Sequence, residues 1–74
     1  MIQIKFADRL RELREAAGLR KCELARMLHV SPPAISQWES DWCRPSYDTL
    51  AILAEIFHTT TDYLIGLTDE RSRK

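Results

Sequence analysis

Gly18 to Glu39 reads G-L-R-K-C-E-L-A-R-M-L-H-V-S-P-P-A-I-S-Q-W-E, and this stretch decides the fold. Leu24, Ala25 and Leu28 put one apolar face on a short helix that begins near Lys21 and stops before the His29-Val30 turn. Ser31 and Pro32 then start another helix. Serine is a strong N-cap because its hydroxyl accepts a backbone N–H that the first turn leaves unpaired, and proline suits the first helical position. On the wheel of that helix Ile35 and Trp38 share one face, while Pro33, Ser36, Gln37 and Ser40 point roughly the other way. The outward face is small and nearly uncharged, which suits a helix pressed against another surface better than one merely hydrated.

Working outward, Phe6, Leu10, Leu13 and Ala17 recur at helical spacing, and Gly18 follows where a helix often ends in a left-handed residue. Helix 1 is therefore expected from about residue 5 to 17. Helix 3 is expected from Pro32 to about Ser40, followed by the loop Asp41-Trp42-Cys43-Arg44-Pro45. Ser46 offers a cap for helix 4, where Leu50, Leu53, Ala54 and Phe57 hold helical period. Thr59-Thr60-Thr61 is β-branched and breaks that period, and Asp62 to Ile65 forms a last short helix ended by Gly66. No segment alternates as a convincing strand, although Ile2 and Ile4 hint at an extended N-terminus. The fold class expected is all-α, a compact five-helix bundle over residues 1–67, with a charged tail at 68–74 that frays for want of an apolar face. Leu28, Val30, Ile35, Trp38, Leu50, Leu53 and Phe57 are assigned to the core.

Seventy-four residues are expected to make one domain, near the lower size at which a single core suffices, and no ligand-sensing domain is expected within them. The apolar runs are too short to span a membrane and the first five residues lack a signal peptide's apolar stretch, so a cytoplasmic protein is expected. Cys22 and Cys43 show neither C-x-x-C spacing nor a histidine at metal-ligand distance, so reduced thiols are expected, with no disulfide, metal or cofactor. Net charge is zero, but the chain is polarised: residues 1–44 carry eight basic and six acidic groups, a balance of +2, against three and five, or −2, in residues 45–74. No nucleophile–base pair or Gly-rich phosphate loop marks an enzyme, and no small-molecule substrate is implied.

Two short helices joined by a tight turn, the second with a polar outward face in the basic half of the chain, are the pattern of a helix-turn-helix, whose second helix enters the DNA major groove. The spaced motifs F-A-D-R-L-R-E-L-R in helix 1, G-L then E-L-A and L in helix 2, V-S then I-S-Q-W-E in helix 3, R-P-S with T-L and L-A in helix 4, and D-Y-L-I-G at the end resemble the lambda-repressor-like (XRE/Cro-type) family. The resemblance covers about residues 5–67. It implies a bundle whose helix 3 reads double-stranded DNA, as a homodimer and to repress transcription, in a bacterial or phage-encoded protein.

By position, the family's phosphate-clamping residue falls on Lys21, where glutamine is usual; Arg20, Ser40 and Arg44 fall where the family touches the DNA backbone. Such contacts set register and carry little sequence information. Base reading falls on Ser31, Pro32, Pro33, Ser36 and Gln37, and only Gln37 among them can bond an adenine edge bidentately. The prolines donate no N–H, which removes the usual phosphate clamp at a helix N-terminus, and Pro33 restrains Pro32 away from the α region. The family also pairs a helix-1 arginine with the glutamate after the helix-3 aromatic, here Arg14 with Glu39. Ser40-Asp41 stands where Asn-Gly is common, aspartate being able to visit the left-handed region. Trp42, where a basic or polar residue is usual, packs on the core edge, stacks at a subunit contact or lies near the DNA backbone. Tyr63, Ile65 and Leu67 are expected at the dimer surface. The competing reading is a protein-interaction module or antitoxin-like partner on the same fold, with weak or no DNA binding.

Overall fold

The computed structural model describes residues 4–71. Among them are five helices and no strand: α1 (Phe6–Ala16), α2 (Lys21–Leu28), α3 (Pro32–Glu39), α4 (Tyr47–Ile56) and α5 (Thr61–Ile65). Of the two residues that hinted at an extended N-terminus, Ile2 lies outside the described residues and Ile4 is exposed and in no strand. The threonine run does interrupt the helices, but it also starts α5. Thr59 is buried, and Thr60 caps, its Oγ1 accepting from Tyr63 N at 3.1 Å. Ser46 caps α4 in the same way through Thr49 N, at 3.4 Å.

The core is one cluster to which every helix contributes: Phe6, Leu10 and Leu13 from α1, Leu24 and Ala25 from α2, Ile35 and Trp38 from α3, Leu53 and Ala54 from α4, Tyr63 and Leu64 from α5. Leu28, Val30, Leu50 and Phe57 pack against its edge and stay partly exposed. The i, i+3, i+4 spacing of these side chains turns one stripe of each helix inward, and burial of that stripe holds helices too short to persist alone.

All five helices end in the same motif, the residue after the last turn donating to the carbonyl three back and the next residue to the carbonyl five back. Thus Gly18 N bonds Glu15 O and Leu19 N bonds Arg14 O, and the pattern repeats at His29-Val30, Asp41-Trp42, His58-Thr59 and Gly66-Leu67. The motif needs a left-handed residue. Gly18 and Gly66 supply it without strain, whereas His29 (φ 58°), Asp41 (φ 62°) and His58 (φ 52°) hold it with a Cβ that crowds the following carbonyl. Both histidines are exposed, so little packing depends on them. His29→Gly and His58→Gly are each expected to stabilise the domain by about 0.5–1 kcal/mol, the relief of left-handed strain less the extra chain entropy of glycine. Thermal melting checks this, each kcal/mol raising Tm by roughly 4–8 °C in a domain of this size.

Arg9 joins the two ends of the chain. It is only 7% exposed, its guanidinium lies 4.1 Å from the centre of the Tyr63 ring, and it donates to Tyr63 O at 2.6 Å, to Thr68 O and to Asp69 Oδ1 at 2.6 Å. Thr59 Oγ1 also donates to Arg71 O at 2.6 Å. The expectation of a frayed tail from residue 68 is thereby corrected for 68–71, which the fork of Arg9 and the hydroxyl of Thr59 tie to the bundle. Residues 72–74 lie outside the described part.

Candidate nucleic-acid interface

The beginnings of α2 and α3 border one open groove lined by Arg14, Arg20, Lys21, Cys22, Pro32, Pro33, Ser36 and Gln37. Glu23 closes the start of α2, its carboxylate accepting the Arg20 backbone N–H at 2.8 Å. This leaves the side chains of Arg20 and Lys21 at the rim of the groove, where both residues are exposed. Lys21 Nζ reaches across to Ser36 Oγ at 3.3 Å. On α3, Ser31, Pro32, Pro33 and Ser36 are exposed and Gln37 is half-buried, while Ile35, Trp38 and Glu39 face inward.

Ser31 takes the N-cap conformation (φ −78°, ψ 149°), but its hydroxyl makes no capping bond, contrary to the role its position suggested. The prolines explain this. A cap hydroxyl accepts from the second or third helical N–H; Pro33 has none, and Ala34 N is already bonded to Ser31 O at 3.0 Å. Pro32 opens α3 despite the steric restriction Pro33 places on it, and the first turn of a helix needs no N–H from either.

The C-terminal end of α3 is clasped from both sides. Inside, Glu39 is 3% exposed and accepts from Arg14 Nε at 2.6 Å and Arg14 Nη2 at 3.1 Å, a bidentate pair, with Arg14 Nη1 also donating to Leu19 O at 2.9 Å. The hydrogen bonds to Glu39 raise the Arg14 pKa above its ordinary value. That contribution to stability is complete below the unfolded arginine range and falls away only as pH rises above it, so Arg14 keeps its charge throughout the physiological range. Arg11, one turn earlier on α1, adds a hydrogen bond to Glu39 O at 2.7 Å and lies 3.7 Å from Glu39 Oε1. Sequence reading missed Arg11, although its three-residue spacing from Arg14 places both on one helix face.

Outside, the carbonyl of Gln37 accepts from Ser40 Oγ at 3.1 Å and from Trp42 N at 3.0 Å, and Gln37 Oε1 accepts from Cys43 Sγ at 3.6 Å. The hydroxyl proton of Ser40 is therefore committed within α3. Arg44 is paired with Asp41 at 3.1 Å, and both side chains are about half exposed. Trp42 is 77% exposed, which rules out the core-edge placement for it. Cys22 and Cys43 are free and exposed.

Tyr63 requires a correction. It is 7% exposed, sealed beneath Arg9, so its ring belongs to the core and cannot serve as a subunit contact. Ile65 is half-buried and Leu67 exposed. Ile65 shares a second groove with Ile4, Phe6, Arg44, Pro45, Tyr47 and Leu50, at whose edge Tyr47 is 91% exposed.

Two short helices joined through His29, Val30 and Ser31, with a polar outer face on the second and a core beneath both, define a helix-turn-helix domain. The chain belongs to the helix-turn-helix domain family, whose model matches residues 5–64, and its relatives are regulators of the lambda-repressor-like type. It is 39% identical over 71 residues to the HTH-type transcriptional regulator ImmR of Bacillus subtilis, covering 96% of this chain and 55% of that protein. Repressor protein C2 of Salmonella phage P22 is 34% identical over 60 residues, 81% of this chain and 28% of the repressor. The chain thus spans about half, or less, of these curated relatives. Among solved structures, a transcriptional regulator from Listeria innocua superposes with TM-score 0.86 at 30% identity, over 99% of this chain and 68% of that one. The P22 c2 repressor bound to a synthetic operator superposes with TM-score 0.77 at 33% identity, over 81% of this chain and 91% of that one. These relatives are transcription regulators, and the family is not an enzymatic one. No helix among the described residues is long and apolar enough to cross a membrane.

Proposed function

We propose that this domain is a sequence-specific transcriptional regulator, a repressor, that places α3 in the major groove of double-stranded DNA. The observation that carries the reading is the groove between α2 and α3: a small, uncharged reading face of Pro33, Ser36 and Gln37, with Arg20 and Lys21 on its rim. The buried Arg14–Glu39 clamp behind it holds α3 rigid, which a reading helix needs. Arg20, Lys21 and Arg44 contact phosphates, Arg44 by leaving Asp41, an exchange that costs little because exposed pairs contribute only about 0–1 kcal/mol. The relatives named as regulators and repressors support the same reading. The protein acts in the cytoplasm, where its operator lies.

The regulator binds as a homodimer on a two-fold symmetric site, with half-sites about one helical turn, ~10 bp, apart. Ile65 and Leu67, together with Tyr47 and Ile4, form the contact surface. Sedimentation of the protein with and without operator tests this, and one copy per operator at saturation would sink it.

Selection of bound duplexes from a random library, by the wild-type chain and by Gln37→Ala, tests the reading as a whole. The wild type is expected to enrich a palindromic motif, and the variant to lose discrimination at one base pair in each half-site by about 1–3 kcal/mol. Equal, weak binding to every sequence would instead favour an interaction module on this fold.

A further inference from the structure

The loop after α3 holds Gln37 at three points: Ser40 Oγ and Trp42 N on its backbone carbonyl, and Cys43 Sγ on its side-chain oxygen. Capping explains the first two. The third is different, because it fixes which end of the carboxamide faces outward. A thiol has one proton to give, and donating it to Oε1 turns that oxygen toward the loop and the NH2 group toward the reading face. Bidentate recognition of adenine requires both groups, with Oε1 accepting from N6 and Nε2 donating to N7. Guanine presents only acceptors there, N7 and O6.

We infer that Cys43 is a specificity-determining positioning residue: its thiol orients the Gln37 carboxamide as a donor, so that Gln37 reads guanine rather than adenine. This rests on the proposal that Gln37 faces a base edge. Cys43 touches no base in this scheme and acts only through Gln37. Its position follows from the turn before it, where Asp41 is left-handed and paired with Arg44, which brings residue 43 back over the end of α3.

Binding of the full chain to the selected operator, and to duplexes carrying each of the four bases at the pair read by Gln37, is measured for wild type, Cys43→Ala, Cys43→Ser and Gln37→Ala. The wild type is expected to prefer guanine. Cys43→Ala frees Oε1 and shifts the guanine-to-adenine ratio toward adenine by about twofold, the low end for a neutral hydrogen bond because a thiol is a weak donor. The slope of affinity against salt does not change, since no phosphate contact is lost. Cys43→Ser keeps a donor and falls between wild type and alanine. A wild-type preference for adenine, or a Cys43→Ala profile that superposes on the wild type, overturns the inference. Gln37→Ala separates the two proposals: if it erases preference at that pair while Cys43→Ala does not alter it, only the role of Cys43 fails, and if it changes nothing, the reading role of Gln37 fails with it.

Discussion

Arg14→Met is expected to cost the domain about 3–5 kcal/mol, because it strands the carboxylate of Glu39 in the interior without its bidentate partner. Arg11 offsets part of the loss but meets that carboxylate at 3.7 Å and from a half-exposed position. A domain of this length has total stability on the order of 4–11 kcal/mol, so the single variant consumes a large share of it. Urea denaturation measures the effect. The informative partner is the double variant Arg14→Met/Glu39→Leu, which removes the stranded charge together with the desolvation penalty and is expected to recover most of the loss. If both variants are equally unstable, the clamp matters through shape rather than charge. If neither is destabilised, the ion pair does not hold α3 to α1, and the rigidity invoked for the reading helix needs another source.

Combined replacement of Arg20, Lys21 and Arg44 by alanine is expected to weaken operator binding by on the order of 10²–10³-fold near 0.1 M salt. It should also flatten the dependence of log K on log salt by about 3, close to one counterion per lost phosphate contact. Base preference should stay as it was, since phosphate contacts set register without reading sequence. The fold should survive, because all three residues are exposed and their partners, Ser36 and Asp41, are exposed too. Equilibrium binding at several salt concentrations with operator and scrambled duplexes separates the two quantities. An unchanged salt slope would place the DNA path elsewhere on the molecule. A changed base preference would mean that one of the three reaches a base.

The same side chains show where reading along the chain succeeds and where it ends. Helix positions were legible because period, caps and left-handed turns are local: Leu24, Ala25 and Leu28 make a stripe within eight residues, and Ser46 caps Thr49 three residues away. Even a local rule can be overridden by a neighbour. Ser31 has the conformation of a cap but no free N–H to accept, because Pro33 has none and that of Ala34 is taken by the Ser31 carbonyl. Tyr63 sits in a helix of five residues, too short for periodicity to define a face, so its burial could not be inferred from the sequence.

Which segments are helical, where each one stops, and that α3 turns an apolar face in and a small, uncharged face out are therefore set locally along the chain. Those outcomes depend on backbone hydrogen bonds and side-chain spacing within a turn or two. What the long polar side chains do depends instead on how the helices pack. Arg9 and Arg11 look alike on α1, yet one is buried against the Tyr63 ring 54 residues away while the other stays half exposed at the end of α3. Cys43 reaches the Gln37 amide because of a single left-handed turn at Asp41. An arginine fork or a thiol gains its role from partners that meet it only after the helices pack, and no spacing in the chain encodes that meeting.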